Sequence, residues 1–299
     1  MNKDQLQRYV FPNAHVRGEL VQLQDSFSEL LASHDYPDPV KKLLGDMLSA
    51  ATLLTATLKF KGEISLQIQS EGKIRYAVVD ATHDQKVRGI ARWDDTDSSW
   101  PVAFSGLFRK GVLAITITPE KGERYQGLVG LDQDSLAACI QNYFEQSEQL
   151  PTRVALFTET SSTTSRTAGL LLQVLPQSSA ATSVQDHATF NELAMLTDTM
   201  TAEEILSLEA NTLLHRLYHE HDVELYPAHD VQFACTCSRE RSAEALKNID
   251  KAELLSIIAE EGVIAMDCQY CHTKYEFDGM DVESIHAGFA NATSNNTQQ

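Results

Sequence analysis

Two short cysteine pairs near the end of the chain restrict its fold more than any other feature. They are Cys235-x-Cys237 and Cys268-x-x-Cys271, with thirty residues between them. Cysteines two or three positions apart can both turn toward one ion, and two such pairs complete a tetrahedral shell with Zn–S distances of about 2.3 Å. Soft thiolates favour zinc over magnesium or calcium. The sequence therefore predicts one zinc ion on all four thiolates. Such a closed site has no open position for water and is structural rather than hydrolytic.

Other interpretations of these cysteines stay open but are weaker. A CxxC pair alone is compatible with a thioredoxin-like motif or with chance, and the spacing does not match the ferredoxin runs that hold iron–sulfur clusters. His272 follows Cys271 directly and could replace a sulfur, although we expect it to point away. The fifth cysteine, Cys139, lies in the middle of a predicted helix, where we expect a buried, small apolar side chain.

The metal should decide whether the last part of the chain folds. A domain of about 60 residues has little core and often needs a metal. Structural zinc contributes about 10–16 kcal/mol of apparent binding free energy in small peptides. Whole domains are stable by only about 5–15 kcal/mol. Loss of the metal should therefore unfold this domain, and oxidation can cause that loss, because thiolates are the oxidisable form of cysteine.

Composition restricts the compartment and the partners. The chain has 299 residues, a formal net charge of −18 and a pI of about 4.9. A surface this acidic repels phosphate backbones and anionic membranes. We therefore expect neither nucleic acid nor a membrane as a partner. We find no targeting segment and no apolar run near the ~18 residues of a membrane span. We therefore expect a cytoplasmic protein, and in a reducing cytosol cysteines serve more often as metal ligands or redox groups than as structural disulfides.

The first part of the chain has the pattern of a mixed α/β domain. A helix should begin at Pro39, with apolar residues at helical spacing, and end at Gly62. A second helix is predicted over 135–149. Strands are predicted over 15–23, 63–69, 74–79, 113–118, 124–129, 154–158 and 169–175, with a hairpin between 113–118 and 124–129 and a polar loop over 158–168.

The rest of the chain has a different character. Residues 183–230 hold ten acidic residues and one basic residue. Their apolar positions predict short amphipathic helices lying across the first domain. Five histidines occur there, and we interpret them as part of a solvated acidic face: His187, His215, His219, His221 and His229. Further on, a helix is predicted over 251–261, with Asp250 as N-cap, a capping box completed by Glu253, and Gly262 as its end.

The sequence therefore predicts an α+β protein in four parts. These are a mixed sheet-and-helix N-terminal domain over 1–182, an amphipathic helical linker over 183–230, a small C-terminal zinc-binding domain over 231–290 and a disordered tail over 291–299.

Segments along nearly the whole chain resemble one known family. They are LLGDMLSAATLLTATLKFKGEISLQIQSEG (43–72), GVLAITITPEKGERYQGLVGL (111–131), YFEQSEQLPT (143–152), LLLQVLP (170–176), FACTCSRER (233–241) and CQYCHTKYEFD (268–278). On these segments the chain resembles the bacterial 33-kDa heat-shock redox-regulated chaperone family.

The resemblance implies an ATP-independent holdase that binds unfolding proteins under oxidative stress. It implies a compact, inactive, zinc-bound reduced state. Oxidation would then form the disulfides Cys268–Cys271 and Cys235–Cys237, with zinc release and unfolding of the C-terminal region and linker. The oxidised protein would act as a homodimer through its N-terminal domain and pass its clients to ATP-dependent refolding chaperones.

Two rival functions are compatible with the cysteines. A zinc-free thiol–disulfide oxidoreductase using Cys268 and Cys271 would need a low-pKa nucleophile at a helix N-terminus and no bound metal. A zinc-ribbon nucleic-acid module would need a basic surface. We find no P-loop, nucleophile elbow or HExxH helix, and therefore expect no enzyme.

Overall fold

The computed structural model describes residues 4–161, 164–175 and 184–287, and divides the chain into two compact units, Met1–Ala234 (unit 1) and Cys235–Gln299 (unit 2). The division comes four residues after the start of the predicted C-terminal domain. The predicted disordered tail over 291–299 lies outside the described residues.

Unit 1 is built on two sheets, each of six strands in the described part of the chain. The first has the order β10-β1-β2-β9-β8, with β11 also paired to β1, and the second has the order β12-β5-β4-β3-β6-β7. The strands are β1 Gln5–Phe11, β2 Val16–Leu23, β3 Gly62–Gln69, β4 Ile74–Thr82, β5 Lys86–Trp93, β6 Val112–Pro119, β7 Tyr125–Gly130, β8 Thr152–Thr160, β9 Ser165–Val174, β10 Glu224–Leu225, β11 His229–Asp230 and β12 Gln232–Phe233.

Helices cover both faces of the first sheet of unit 1. They are α1 Asp25–Ala32, α2 Asp38–Ala56, α3 Leu136–Tyr143, α4 Val184–Asp198, α5 Ala202–Ser207 and α6 Ala210–Tyr218, with a 3₁₀ turn at Phe104–Leu107 and a π turn at Phe144–Glu148. None of the helices in the described ranges is long and apolar enough to cross a membrane.

Helix α2 packs against strands of both sheets and forms the centre of the larger core. Fourteen of its 19 residues are buried, so the predicted buried helix is confirmed. Its predicted end is wrong, because the helix stops at Ala56 and Gly62 is the first residue of β3. Gly62 lies opposite Pro119 of β6, where a Cβ atom would come within 2.6 Å of the Thr118 carbonyl oxygen. Strand pairing, rather than helix termination, therefore requires this glycine.

The predicted strands and the β6–β7 hairpin are confirmed, but helix α1 and five strands of unit 1 were missed, namely β1, β5, β10, β11 and β12. The predicted polar loop over 158–168 is wrong, because β8 and β9 continue through most of it and pair from Thr152↔Gln173 to Thr160↔Ser165. Its polar side chains have partners inside the protein. The Thr167 hydroxyl lies 2.9 Å from the hydroxyls of Ser49 and Thr158.

Helices α4, α5 and α6 pack on the face of the first sheet that is opposite α2 and form a second core there. The predicted helical character of this stretch is confirmed. The Gln22 amide donates to the carbonyls of Ile205 and Leu208 at 2.6 and 2.8 Å and holds α5 to the sheet. For His221 the solvated interpretation is wrong. Its ring lies edge-on to Phe11, with Nε2 3.4 Å from Glu192. The side chain of His187 lies outside what the structure describes.

Unit 2 contains α7 Arg239–Leu246, α8 Lys251–Glu261, the hairpin β13 Ile264–Asp267 and β14 Lys274–Phe277, and α9 Gly279–His286. Helix α8 has its predicted bounds and N-cap, and it ends at Gly262 with φ of 87°. The predicted capping box is wrong, because the Asp250 carboxylate accepts from the Ala252 N–H rather than from Glu253. The core is small and consists of Leu246, Leu254, Ile264, Phe277, Val282 and Ile285.

Candidate metal centre

The first cysteine pair lies in the segment that leads into α7. Ser238, directly after Cys237, caps this helix by accepting from the Arg241 N–H at 3.2 Å. The Arg241 guanidinium in turn donates to the carbonyl and the hydroxyl of Thr236 at 2.9 and 2.7 Å. The residue between the two cysteines is therefore fixed by the helix that follows them.

The second cysteine pair forms the turn of the β13–β14 hairpin. The Cys268 N–H donates to the Thr273 carbonyl at 2.9 Å, and the His272 N–H donates to the Cys268 carbonyl at 2.8 Å. His272 has φ of 55°, a left-handed conformation that closes the turn. The hairpin thus brings Cys268 and Cys271 to one end of a two-stranded ribbon.

The four sulfurs of Cys235, Cys237, Cys268 and Cys271 lie within 4.8 Å of one another. Two contacts join the pairs, Cys235 Sγ to Cys268 Sγ at 3.6 Å and Cys237 Sγ to Cys271 Sγ at 3.5 Å. A tetrahedron with bonds of about 2.3 Å has edges of about 3.8 Å, so the arrangement fits a zinc ion. All four cysteines are free thiols. His272 is not part of this group, which is the only such cluster among the residues that the structure describes.

Hydrogen bonds make the four thiols unequal. Burial raises the pKa of Cys235 to about 12. Burial also acts to raise the pKa of Cys271, but hydrogen bonds from Thr273 and from the Cys237 and Cys235 thiols outweigh it and lower this pKa to about 6. The Tyr275 hydroxyl donates to Cys237 Sγ at 3.2 Å, which raises the pKa of Tyr275 to about 12. Without a metal the coupled thiols of the cluster therefore lose their protons in steps.

Arg239 joins three elements around the sulfurs. Its guanidinium donates to the Glu276 carbonyl on β14 at 2.5 Å and to the Asp281 carboxylate on α9 at 2.7 Å. It also lies over the Phe277 ring, 4.4 Å from the centroid. Sequence reasoning missed Arg239 and Thr273 as supports of the site. Their one signal was that each lies two residues from a cysteine.

Cys139 takes no part in the cluster. It lies in α3 of unit 1, fully buried, and burial raises the pKa of its thiol. The prediction of a buried apolar side chain is confirmed.

Known proteins resemble the chain over its full length. A family model described as "Hsp33 protein" matches residues 4–278. A protein named "33 kDa chaperonin" from Pseudoalteromonas atlantica is 55% identical over 296 residues, covering 99% of each chain. One of the same name from Shewanella sediminis is 52% identical over 300 residues and covers 100% of each chain.

A solved structure has the same fold. The crystal structure of the 33 kDa chaperonin from Thermotoga maritima aligns with a TM-score of 0.78 at 22% identity, covering 95% of this chain and 98% of that one. This likeness shows the fold, and the family model and the two relatives establish the family of the protein. The chain belongs to the Hsp33 family.

Proposed function

We propose that this protein is a redox-regulated, ATP-independent chaperone that binds unfolding proteins and prevents their aggregation under oxidative stress. Membership of the Hsp33 family supports the chaperone function. The redox part rests on one observation, four free thiols within 4.8 Å of one another in a unit whose apolar core is six residues.

In the reduced state Cys235, Cys237, Cys268 and Cys271 would hold one Zn²⁺ ion per chain. The ion would supply a cross-link between the segment before α7 and the hairpin turn, and its closed set of sulfur ligands leaves no position for a substrate. Tyr275 and Thr273 donate hydrogen bonds to the sulfurs and so favour the thiolate form that a metal requires.

The switch would be oxidation of the thiols. Two thiolates and one hydrogen peroxide, with two protons, give a disulfide and two waters, and two thiolate ligands are lost with each disulfide. We propose that the disulfides are Cys268–Cys271 and Cys235–Cys237. The shortest sulfur contacts in the structure, 3.6 and 3.5 Å, run between the pairs, but disulfides there would keep the segment tied to the hairpin. Neighbour disulfides leave the two pairs unlinked, and only the six-residue core then holds unit 2.

Unfolding of unit 2 would be the activating signal. The domain over 1–182 would bind clients and form a homodimer when oxidised, the helical linker over 183–230 would loosen with the zinc-binding domain over 231–290, and ATP-dependent refolding chaperones would receive the clients. We place the protein in the cytoplasm, where thiols stay reduced until oxidative stress. A net charge of −18 argues against nucleic acid or anionic membranes as partners. We propose no catalytic activity.

A second candidate is a zinc-free thiol–disulfide oxidoreductase acting through Cys268 and Cys271. The lowered pKa of Cys271, about 6, favours it, because a thiolate is the attacking species. Against it, both cysteines lie in a hairpin turn rather than at a helix N-terminus, and the same pKa serves metal binding.

One experiment separates the two functions. Reduced protein should hold about one zinc per chain and barely suppress the aggregation of a thermally unfolding client, whereas peroxide-treated protein should release zinc and suppress aggregation without ATP. Cys268→Ser should bind zinc weakly, and Cys139→Ala, which removes a buried thiol outside the cluster, should behave as wild type. Peptide mapping of the oxidised chain should find the two neighbour disulfides. Metal-free reduced protein that turns over a disulfide substrate would support the oxidoreductase instead.

A further inference from the structure

One oxygen of a buried carboxyl group in unit 1 has no hydrogen-bond partner among the residues that the structure describes. Glu19 lies on β2, opposite Arg8 of β1, and is 1% exposed. Its Oε2 atom has no hydrogen-bond partner in the described part of the chain. Buried carboxylates are normally paired or hydrogen-bonded, because the loss of water is costly. Glu19 thus needs a partner that the described residues do not provide.

The two nearest arginines are occupied elsewhere. Arg17, two residues along β2, donates through Nη1 to the Thr57 carbonyl at 3.2 Å and through Nη2 to Gln173 Oε1 at 2.5 Å. Its Nε atom is buried and, within the described chain, also has no hydrogen-bond partner. The Arg8 guanidinium lies over the Tyr226 ring, 5.8 Å from the centroid. One acceptor on Glu19 and one donor on Arg17, two residues apart on β2, therefore remain without a hydrogen bond in the described chain.

The residues Arg17 and Glu19 line one cavity of about 440 Å³, whose wall also includes Arg8, Lys59 and Tyr226. The wall carries three cationic side chains and one carboxyl group. Burial also raises the pKa of Glu19 to about 7, as expected where no counter-ion touches the carboxylate.

The charges of the wall restrict the ligand. An amine could donate to Glu19 but would meet three cations. Sulfate suits the cations but carries no proton at neutral pH, so it would place bare oxygens against the carboxylate. Hydrogen phosphate combines negative oxygens, which suit arginine and lysine, with a P–OH donor, which suits Glu19. A phosphate monoester keeps such a proton only below its second pKa, about 6.

We propose that this cavity is a binding site for hydrogen phosphate, in which Glu19 accepts from the P–OH group and Arg17 Nε, Arg8 and Lys59 face the charged oxygens. The site lies wholly in unit 1 and does not depend on the sulfur cluster.

The test is calorimetric titration of the full-length, reduced, zinc-loaded protein at pH 8 and constant ionic strength, with inorganic phosphate, sulfate and glycerol phosphate. Phosphate should bind at least tenfold more tightly than sulfate or glycerol phosphate, because it alone keeps a proton on the phosphorus oxygens at this pH. No phosphate binding at millimolar concentration, or equal binding of phosphate and sulfate, overturns the proposal.

Three variants identify the groups responsible. Glu19→Gln offers an N–H in place of an acceptor and should lower the phosphate-to-sulfate preference to about one or below. Asp46→Asn is the matched control. This nearly buried carboxyl on α2 bonds to the Thr158 hydroxyl, lies outside the cavity wall, and should leave the preference unchanged. Lys59→Gln, at an exposed position, should weaken the binding of both phosphate and sulfate severalfold without changing the ratio of their affinities. An unchanged preference in Glu19→Gln overturns the proposal even if phosphate binds.

Discussion

Unit 1 buries apolar side chains on both faces of its first sheet, whereas unit 2 has six buried apolar residues and a cluster of four thiols. Burial of apolar surface is the main favourable term in folding and grows with the area removed from water. Unit 1 can therefore stay folded on its cores alone. A unit as small as unit 2 usually needs a metal or disulfides in addition.

The polar contacts of the two units differ in the same way. In unit 1 the Thr167 hydroxyl bonds to those of Thr158, nine positions away, and Ser49, 118 positions away, and these bonds strengthen an existing core. In unit 2 the corresponding bonds, from Tyr275 and Thr273, are directed at sulfurs. The order of unit 2 should thus depend on the chemical state of four atoms.

The largest expected effect is the loss of the metal. Removing zinc with a chelator, or changing Cys268 to Ser, should unfold unit 2, because structural zinc contributes about 10–16 kcal/mol in small domains. Hydrogen exchange should then show amide protection lost over residues 235–287 and retained in the strands and buried helix of unit 1. The control Cys139→Ala should keep protection in both units. Full amide protection of unit 2 in metal-free protein would contradict the claim that unit 2, unlike unit 1, needs the metal to fold.

Truncating a core side chain of unit 1 should destabilise unit 1 and leave zinc binding by unit 2 unchanged. Leu48 in α2 is fully buried, and Leu48→Ala should lower the free energy of unfolding of unit 1 by about 2–5 kcal/mol, through lost burial and the cavity left behind. Both tryptophans of the chain, Trp93 and Trp100, belong to unit 1, so their fluorescence in urea reports its unfolding alone. Zinc content should stay at one per chain. A parallel fall in zinc affinity would mean that the two units do not fold independently.

Acidity should affect unit 1 through Glu19. Its pKa in the folded state is about 7, above the ordinary 4.5, so between these values the folded chain holds a proton that the unfolded chain has lost. Stability from this group is therefore present below pH 4.5 and is lost as the pH rises through 7, by up to about 3 kcal/mol. Glu19→Gln does not titrate. Its stability relative to wild type, from tryptophan fluorescence in phosphate-free buffer, should rise between pH 4.5 and pH 8.

The exposed carboxyl of Glu63 provides the control for this pH series. Glu63→Gln makes the same change in net charge without entering the core and should show no comparable trend. If the stability of Glu19→Gln relative to wild type does not change between pH 4.5 and pH 8, the Glu19 carboxylate has a partner in solution.

Features that depend on local spacing could be predicted from the sequence, and features that depend on distant partners could not. The two cysteine pairs, the buried α2 and the Gly262 helix end are each encoded within a few residues, and the structure has all three. The Ser/Thr-rich segment over 158–168 had the pattern of a polar loop, because the sequence does not show that Thr167 bonds to Ser49, which is 118 positions away. Arg239 and Glu19 could not be identified for the same reason. The contact of Arg239 with Asp281 and the cavity around Glu19 exist only after folding.

The smallest expected effect compares two similar helix caps. Thr201 and Glu204 form a capping box at α5 in unit 1, and Asp278 and Asp281 form one at α9 in unit 2. Replacing Thr201 or Asp278 with Ala should cost about 1 kcal/mol at either site.

In unit 1 the helix remains packed on a large core, so zinc affinity should not change. In unit 2 helix α9 supplies Val282 and Ile285 to a six-residue core, and metal binding is coupled to its folding. Asp278→Ala should therefore lower zinc affinity by about fivefold in competition with a chromophoric chelator. Equal zinc affinities in the two variants would show that the fold of unit 2 does not depend on its metal.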